Sequence, residues 1–132
     1  MITRIKICCI QNLQEAKTAI GFGASAIGLV AKMPSGPGPI PDNLIKEIAA
    51  VIPPPVGTFL LTSHTSVSEI IRHHRETNTN TIQIVDSLTD GTYKQLKEAL
   101  PSVKIVQVIH VINEGSVDEA IRISQSVDAI LL

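Results

Sequence analysis

Two adjacent cysteines, Cys8 and Cys9, lie near the end of a β-branched run from Arg4 to Ile10. A thiol ordinarily ionises near pH ~8.5, so a modest push toward the thiolate makes it a base or nucleophile near neutrality. Strand alternation puts Lys6, Cys8 and Ile10 on one face and Ile5, Ile7 and Cys9 on the other. A lysine facing a helix layer would be costly, so the Lys6 face is expected to line the interior. Cys8 then points inward and Cys9 outward into packing. A buried cysteine is more often an inert small apolar group than a reactive one, so position leaves both roles for Cys8 open.

Asp86 and His110 close the fourth and fifth apolar runs, where an acid, base or ligand would sit. In the sequence each stands alone, and no metal-ligand spacing links them. The stretch Met33-Pro34-Ser35-Gly36-Pro37-Gly38-Pro39 follows the second run, with Lys32 just before it. Its glycines leave backbone N–H groups open to an anion, while its prolines remove donors, so a stiff surface connection explains it equally well. Gln83 and Gln107 lie mid-strand, either bonding across an interior or satisfied as structural amides. His73 and His74 fall within a helical stretch and read as part of a solvated face.

The elements that must position these groups alternate. Apolar β-branched runs span Arg4–Ile10, Ala26–Val30, Val56–Thr62, Thr81–Asp86, Lys104–Val111 and Ala129–Leu132. Helical spacing fills Leu13–Phe22, Asn43–Ile52, Val67–Thr77, Tyr93–Leu100 and Val117–Ser126. Pro41-Asp42 opens the second helix, Ser66 with Glu69 and Ser116 with Glu119 read as capping boxes, and Gly23 as a C′ glycine. Strand starts recur roughly every 25 residues, the size of one βα unit. Strict alternation implies a parallel sheet with right-handed crossovers.

No G-x-G-x-x-G follows the first strand, and polar Lys6 and Cys8 share one of its faces. Both features favour an α/β (βα)8 TIM-barrel design over an open doubly wound sheet. In such a barrel, functional groups gather at the C-terminal ends of strands and in the loops after them, which selects Cys8 to Asn12, Lys32 to Pro39, Thr62 to His64, Asp86 to Thr89 and His110 to Gly115. A closed barrel usually takes about 250 residues. The 132 residues form one domain, expected as an incomplete barrel of six strands and five helices with two unpaired edges.

Composition narrows the class further. The chain is 44% apolar and 17% charged, with one Tyr, two Phe and no Trp, so its core must be aliphatic. A net charge of -1 gives no basic footprint for nucleic acid or anionic membrane. The N-terminus lacks signal-peptide order, and the uncharged run 18–31 is too short to span a bilayer and holds three glycines. A disulfide between neighbouring cysteines is strained, so the expectation is a reduced, cytoplasmic protein.

The run Ile5-Lys6-Ile7-Cys8, then a helix, then Gly23-Ala24-Ser25-Ala26-Ile27-Gly28-Leu29-Val30, resembles the phosphoribosylanthranilate isomerase family, with its K-I-C-G and G-A-D-A-I-G-L-V segments. Val56-Gly57-Thr58-Phe59, Ile82-Gln83-Ile84 and Val127-Asp128-Ala129-Ile130-Leu131-Leu132 resemble its third-, fourth- and sixth-strand motifs in the same order. The resemblance implies a (βα)8 barrel without cofactor or metal, acting in tryptophan biosynthesis. The reaction it implies is the Amadori rearrangement of N-(5-phosphoribosyl)anthranilate, a small phosphosugar–anthranilate substrate. It casts Cys8 as the base and places the acid just after Leu132.

The chain also departs from the family pattern. Cys9 and Gln11 stand where glycine and threonine are usual, the S-P-R loop lacks its arginine, and Q-L-H-G reads Gln83-Ile84-Val85-Asp86. Lys32, Ser35, Gly36, Gln83 and Asp86 are the expected substrate contacts. The 132 residues alone are expected to be inactive, lacking the acid and phosphate loops. The alternatives are a non-catalytic partial barrel that self-associates through its strand edges, and a barrel acting on a different phosphosugar.

Overall fold

The structure, a computed structural model, describes residues 2–132. Its elements alternate without exception: β1 (Lys6–Ile7), α1 (Leu13–Gly21), β2 (Ala26–Val30), α2 (Asp42–Val51), β3 (Gly57–Thr62), α3 (Val67–Thr77), β4 (Thr81–Ile84), α4 (Tyr93–Ala99), β5 (Lys104–Val108), α5 (Gly115–Ser124) and β6 (Ala129–Leu131). All neighbouring strands pair in parallel, in the order β1-β2-β3-β4-β5-β6. The sheet curls into a partial barrel with β1 and β6 as its edges.

Period-two alternation divides the strands between two environments. Ile27, Leu29, Leu60, Ile82, Ile84 and Ile105 face the helices and are fully buried. They form two clusters, one under α1 and α2 and one under α3 to α5. The register carries the opposite set, Lys6, Gly28, Phe59 and Gln83, along the inner face. Gln107 shares the parity of Ile105, so it lies on the helix side. Its Oε1 accepts from the Tyr93 hydroxyl at 2.8 Å, and its Nε2 donates to three backbone carbonyls. It is a satisfied structural amide, whereas Gln83 bonds across the interior.

Helix boundaries follow local chemistry, with corrections. Asn12 caps α1 by accepting from the Glu15 N–H at 2.9 Å. The helix ends as expected at Gly23 (φ +93), where Gly23 N–H bonds Ile20 and Ala24 N–H bonds Ala19. Ser66 stands at the N-cap of α3, but its hydroxyl turns to Ser68 and Asp90 and forms no capping box. Ser116 lies inside α5, because the turn Asn113-Glu114-Gly115 starts that helix earlier; its Oγ accepts from Ile112 N–H. The capping box is instead Thr92 with Gln95, at α4.

The largest departure is in the first strand. Cys9 has φ +60, a left-handed conformation that breaks the alternation. Ile10, expected beside Lys6 and Cys8, turns to the helix side and is buried with Ala16, Ile27 and Leu29.

Candidate functional site

The C-terminal ends of the strands form one face of the partial barrel, and β1 begins it. Cys8 is exposed there, lying against β2 at a position only glycine allows. A Cβ on Gly28 would stand 2.8 Å from the Cys8 Sγ and 3.1 Å from its Cα. Two residues back on the same face, the Lys6 ammonium donates to Gln83 Oε1 at 2.5 Å and lies 4.9 Å from the centre of the Phe59 ring. Burial pushes the Lys6 ammonium below its ordinary range, and the Cys8 and Cys9 sulfurs push it partly back up. Sequence reasoning placed Lys6 inside but missed Phe59; the inward parity of β3 was the available signal.

Cys9 does pack outward. Its Sγ donates to the Pro37 carbonyl at 3.6 Å, and a Cβ on Gly38 would meet its Cβ at 2.6 Å. Burial raises the Cys9 pKa, as does the neighbouring Cys8. Gln11 Nε2 donates to the Gly38 carbonyl at 2.9 Å and to the Cys9 carbonyl at 3.3 Å. These two side chains, both departures from the motif, together tie down the Pro/Gly loop. Lys32, Ser35 and Gly36 (φ +105) are exposed on this loop, and the Lys32 carbonyl accepts from Ser63 Oγ. Gly36 has open space where a side chain would stand.

Across the mouth, Asp86 and His110 are not alone. His110 Nε2 donates to the Val85 carbonyl at 3.0 Å and stands 3.7 Å from Asp86 Oδ1. Adjacent parallel strands put the ends of β4 and β5 side by side, which brings together residues 24 positions apart.

His73 and His74 do not sit on a solvated face: they are 6% and 5% exposed. His73 Nε2 donates to Asp42 Oδ1 at 3.2 Å, and its Nδ1 is 2.9 Å from Thr62 Oγ. With Asp42 ionised, the Thr62 hydroxyl then donates to Nδ1. Thr62 is fully buried and faces the helices, so this chain braces β3 against α2 and α3 and presents no nucleophile. His74 Nε2 donates to the Thr79 carbonyl at 2.6 Å, leaving Nδ1 buried without a partner. Among the described residues, no group of three or more His, Cys, Asp or Glu is placed to hold a metal. No described helix is long and apolar enough to cross a membrane.

No family model matches the chain. It is similar to the N-(5'-phosphoribosyl)anthranilate isomerase of Methanocella arvoryzae, 28% identical over 131 residues that cover 99% of this chain and 62% of the relative. It is also similar to N-(5'-phosphoribosyl)anthranilate isomerase 2 of Methanosarcina mazei, 30% identical over 130 residues, covering 98% of this chain and 58% of the relative. The chain thus spans about three fifths of the length of the curated relatives it matches. Among solved structures it resembles a phosphoribosyl anthranilate isomerase in complex with reduced 1-(o-carboxyphenylamino)-1-deoxyribulose 5-phosphate. That likeness has a TM-score of 0.76 at 22% identity, over 94% of this chain and 62% of the other, and it shows the shared TIM-barrel fold.

Proposed function

We propose that these six βα units carry the base-bearing part of a phosphoribosylanthranilate isomerase, with Cys8 as the base. The rearrangement turns an aminoaldose into an aminoketose. An acid protonates the ribose ring oxygen, and a base removes the C2 proton of the iminium that results. The observation that carries the reading is the Cys8 thiol, exposed at the C-terminal end of β1 and seated against Gly28. The likeness to relatives of that name supports it. The reaction needs no cofactor, and reduced thiols suit a cytoplasmic setting.

Within this reading, Lys32, Ser35 and Gly36 line the substrate from the β2–α2 loop. Asp86, with His110 beside it, faces the substrate from the other side. Gln83 acts from within, through Lys6. The loop has no arginine for a substrate carboxylate, so Lys32 is its cation.

By themselves the 132 residues are expected to convert no measurable substrate, because the relatives' remaining two fifths is not among them. Joined to the C-terminal stretch of the Methanocella arvoryzae relative, they should turn over N-(5-phosphoribosyl)anthranilate, and Cys8→Ala should abolish it. A hybrid that unfolds cooperatively but does not turn over, or one whose turnover survives Cys8→Ala, overturns the assignment. A hybrid that favours a phosphosugar lacking the anthranilate carboxylate would move the reading to a different substrate.

The sheet edges favour a second reading for the chain by itself, association with a second copy. Ile5 and Ile7 at β1 and Phe22 at the end of α1 are 52%, 42% and 90% exposed; at the other edge Ile121 and Leu132 are 58% and 75% exposed. Unpaired edges of this kind recruit further strands. An apparent molar mass from light scattering that rises with concentration supports it, and a monomer mass at every concentration overturns it.

A further inference from the structure

Lys6 has an unusual setting: it lies inside the sheet, on the same face of β1 as Cys8 and two residues before it. Its ammonium cannot swing freely, because Gln83 Oε1 accepts from it on one side and the Phe59 ring lies 4.9 Å away. Gly28 lets the Cys8 sulfur settle against β2, two residues along the face that carries that fixed charge. We propose that Lys6 is a positioning residue for Cys8, its ammonium held by Gln83 and Phe59 so that it favours the ionised sulfur at the barrel mouth. The inference rests on reading Cys8 as the base, since a base must be ionised to accept a proton.

The physics is direct. A positive charge fixed near a thiol in a partly desolvated site lowers the free energy of the thiolate, and low-dielectric surroundings magnify the effect. Burial lowers the pKa of the Lys6 ammonium, and the charge of the two nearby sulfurs offsets part of that lowering. Cys8 also borders the groove between β1 and α1, whose other titratable groups are Cys9 and Glu15; Lys6 lies off that groove, on the inner face. The Glu15 carboxylate is already engaged, accepting from Gln11 N–H at 2.7 Å and from Asn12 Nδ2 at 3.3 Å. The positive charge on the inner face beside Cys8 is that of Lys6, held at Gln83 and Phe59.

The test is the rate of Cys8 alkylation by iodoacetamide in the 132-residue chain, resolved from Cys9 by peptide mass spectrometry and followed with pH. Lys6→Met should slow labelling near neutral pH by roughly 3- to 10-fold and move its pH profile alkaline, while Lys6→Arg stays within about twofold of the unmodified protein. Glu15→Gln serves as the control for the neighbouring carboxylate. Wild-type labelling in Lys6→Met, or equal slowing in Lys6→Met and Lys6→Arg, overturns the proposal. A measurement that needs no variant compares iodoacetate with iodoacetamide. A fixed ammonium should raise that rate ratio at Cys8 several-fold above the ratio for glutathione, and an equal ratio overturns the proposal. Should the labelling effect appear while hybrid turnover survives Cys8→Ala, the base assignment fails and the Lys6–Cys8 coupling stands.

Discussion

The Lys6 ammonium and the Gln83 side-chain carbonyl meet at 2.5 Å, joining β1 to β4 across the concave face of the sheet. The bond spans three strand intervals, so it reports the curl of the sheet as well as a local pairing. It also satisfies both polar groups where water is partly excluded.

Gln83→Leu removes the acceptor and leaves the ammonium half-buried without it. The expected cost is about 1–2 kcal/mol, read as a lower urea midpoint at unchanged slope. The double variant Lys6→Met, Gln83→Leu should recover part of that loss, because neither polar group then remains unpaired. Additive losses would show that the bond contributes nothing to stability.

His74 gives the fold an acid limit. Burial lowers its pKa below 6.5, the Thr79 carbonyl acting the other way and His73 and Arg75 adding to the lowering. Below pH 6.5 the unfolded chain therefore binds the proton more readily than the folded one. Stability should fall as pH drops from 6.5 toward the lowered value, and be fully present above 6.5. His74→Phe, similar in size and without a titrating nitrogen, should flatten the slope of the urea midpoint against pH in that window. An unchanged slope would assign the acid sensitivity to another group.

The left-handed turn at Cys9 should set a sign pattern across substitutions. Cys9→Gly relieves a conformation that costs an ordinary residue about 1 kcal/mol, but loses the packing on Gly38 and the bond to Pro37, so its net effect lies between neutral and ~1 kcal/mol stabilising. Cys9→Val places a β-branched side chain at positive φ and should cost about 2 kcal/mol. Thermal unfolding of the three proteins checks the order Gly, Cys, Val, and a valine as stable as cysteine would contradict the turn.

Gly28→Ala should act on the thiol more than on the fold. The added methyl would meet the Cys8 sulfur at 2.8 Å and its backbone at 3.1 Å, so the sulfur must rotate away and β1 must shift slightly from β2. A cost of about 1–2 kcal/mol is expected, together with a changed rate of Cys8 labelling. Unchanged labelling at reduced stability would mean that the thiol does not rest on Gly28.

Much of the fold was legible in the chain. Val67–Thr77 and Ala26–Val30 are the elements the hydrophobic pattern outlined to the residue, because one is a strongly amphipathic helix and the other a strand buried along its whole length. The remaining boundaries differ by a few residues, where capping and turn chemistry compete with periodicity. The caps at Ser66 and Ser116 show the limit of motif reading. Each serine had the right spacing to a glutamate, but a nearer partner took its hydroxyl: Asp90 and Ser68 in one case, the turn at Ile112 in the other.

The candidate site divides along the same line. Cys8 and its inward direction follow from sequence, since two residues of strand alternation suffice to place it beside Lys6. The pairing of Asp86 with His110, the burial of His73 between Thr62 and Asp42, and the reach of Lys6 to Gln83 do not, because each joins separate βα units through sheet register and curl. Ile10 marks the boundary between the two kinds of information. Alternation assigned it to the inner face, and a single left-handed residue before it sent it to the core on the other side. Local pattern determined which residues have the chemistry to be candidates and roughly where each strand and helix runs. Which of them meet was decided only in three dimensions, where one dihedral angle or one interstrand register outweighs any local preference.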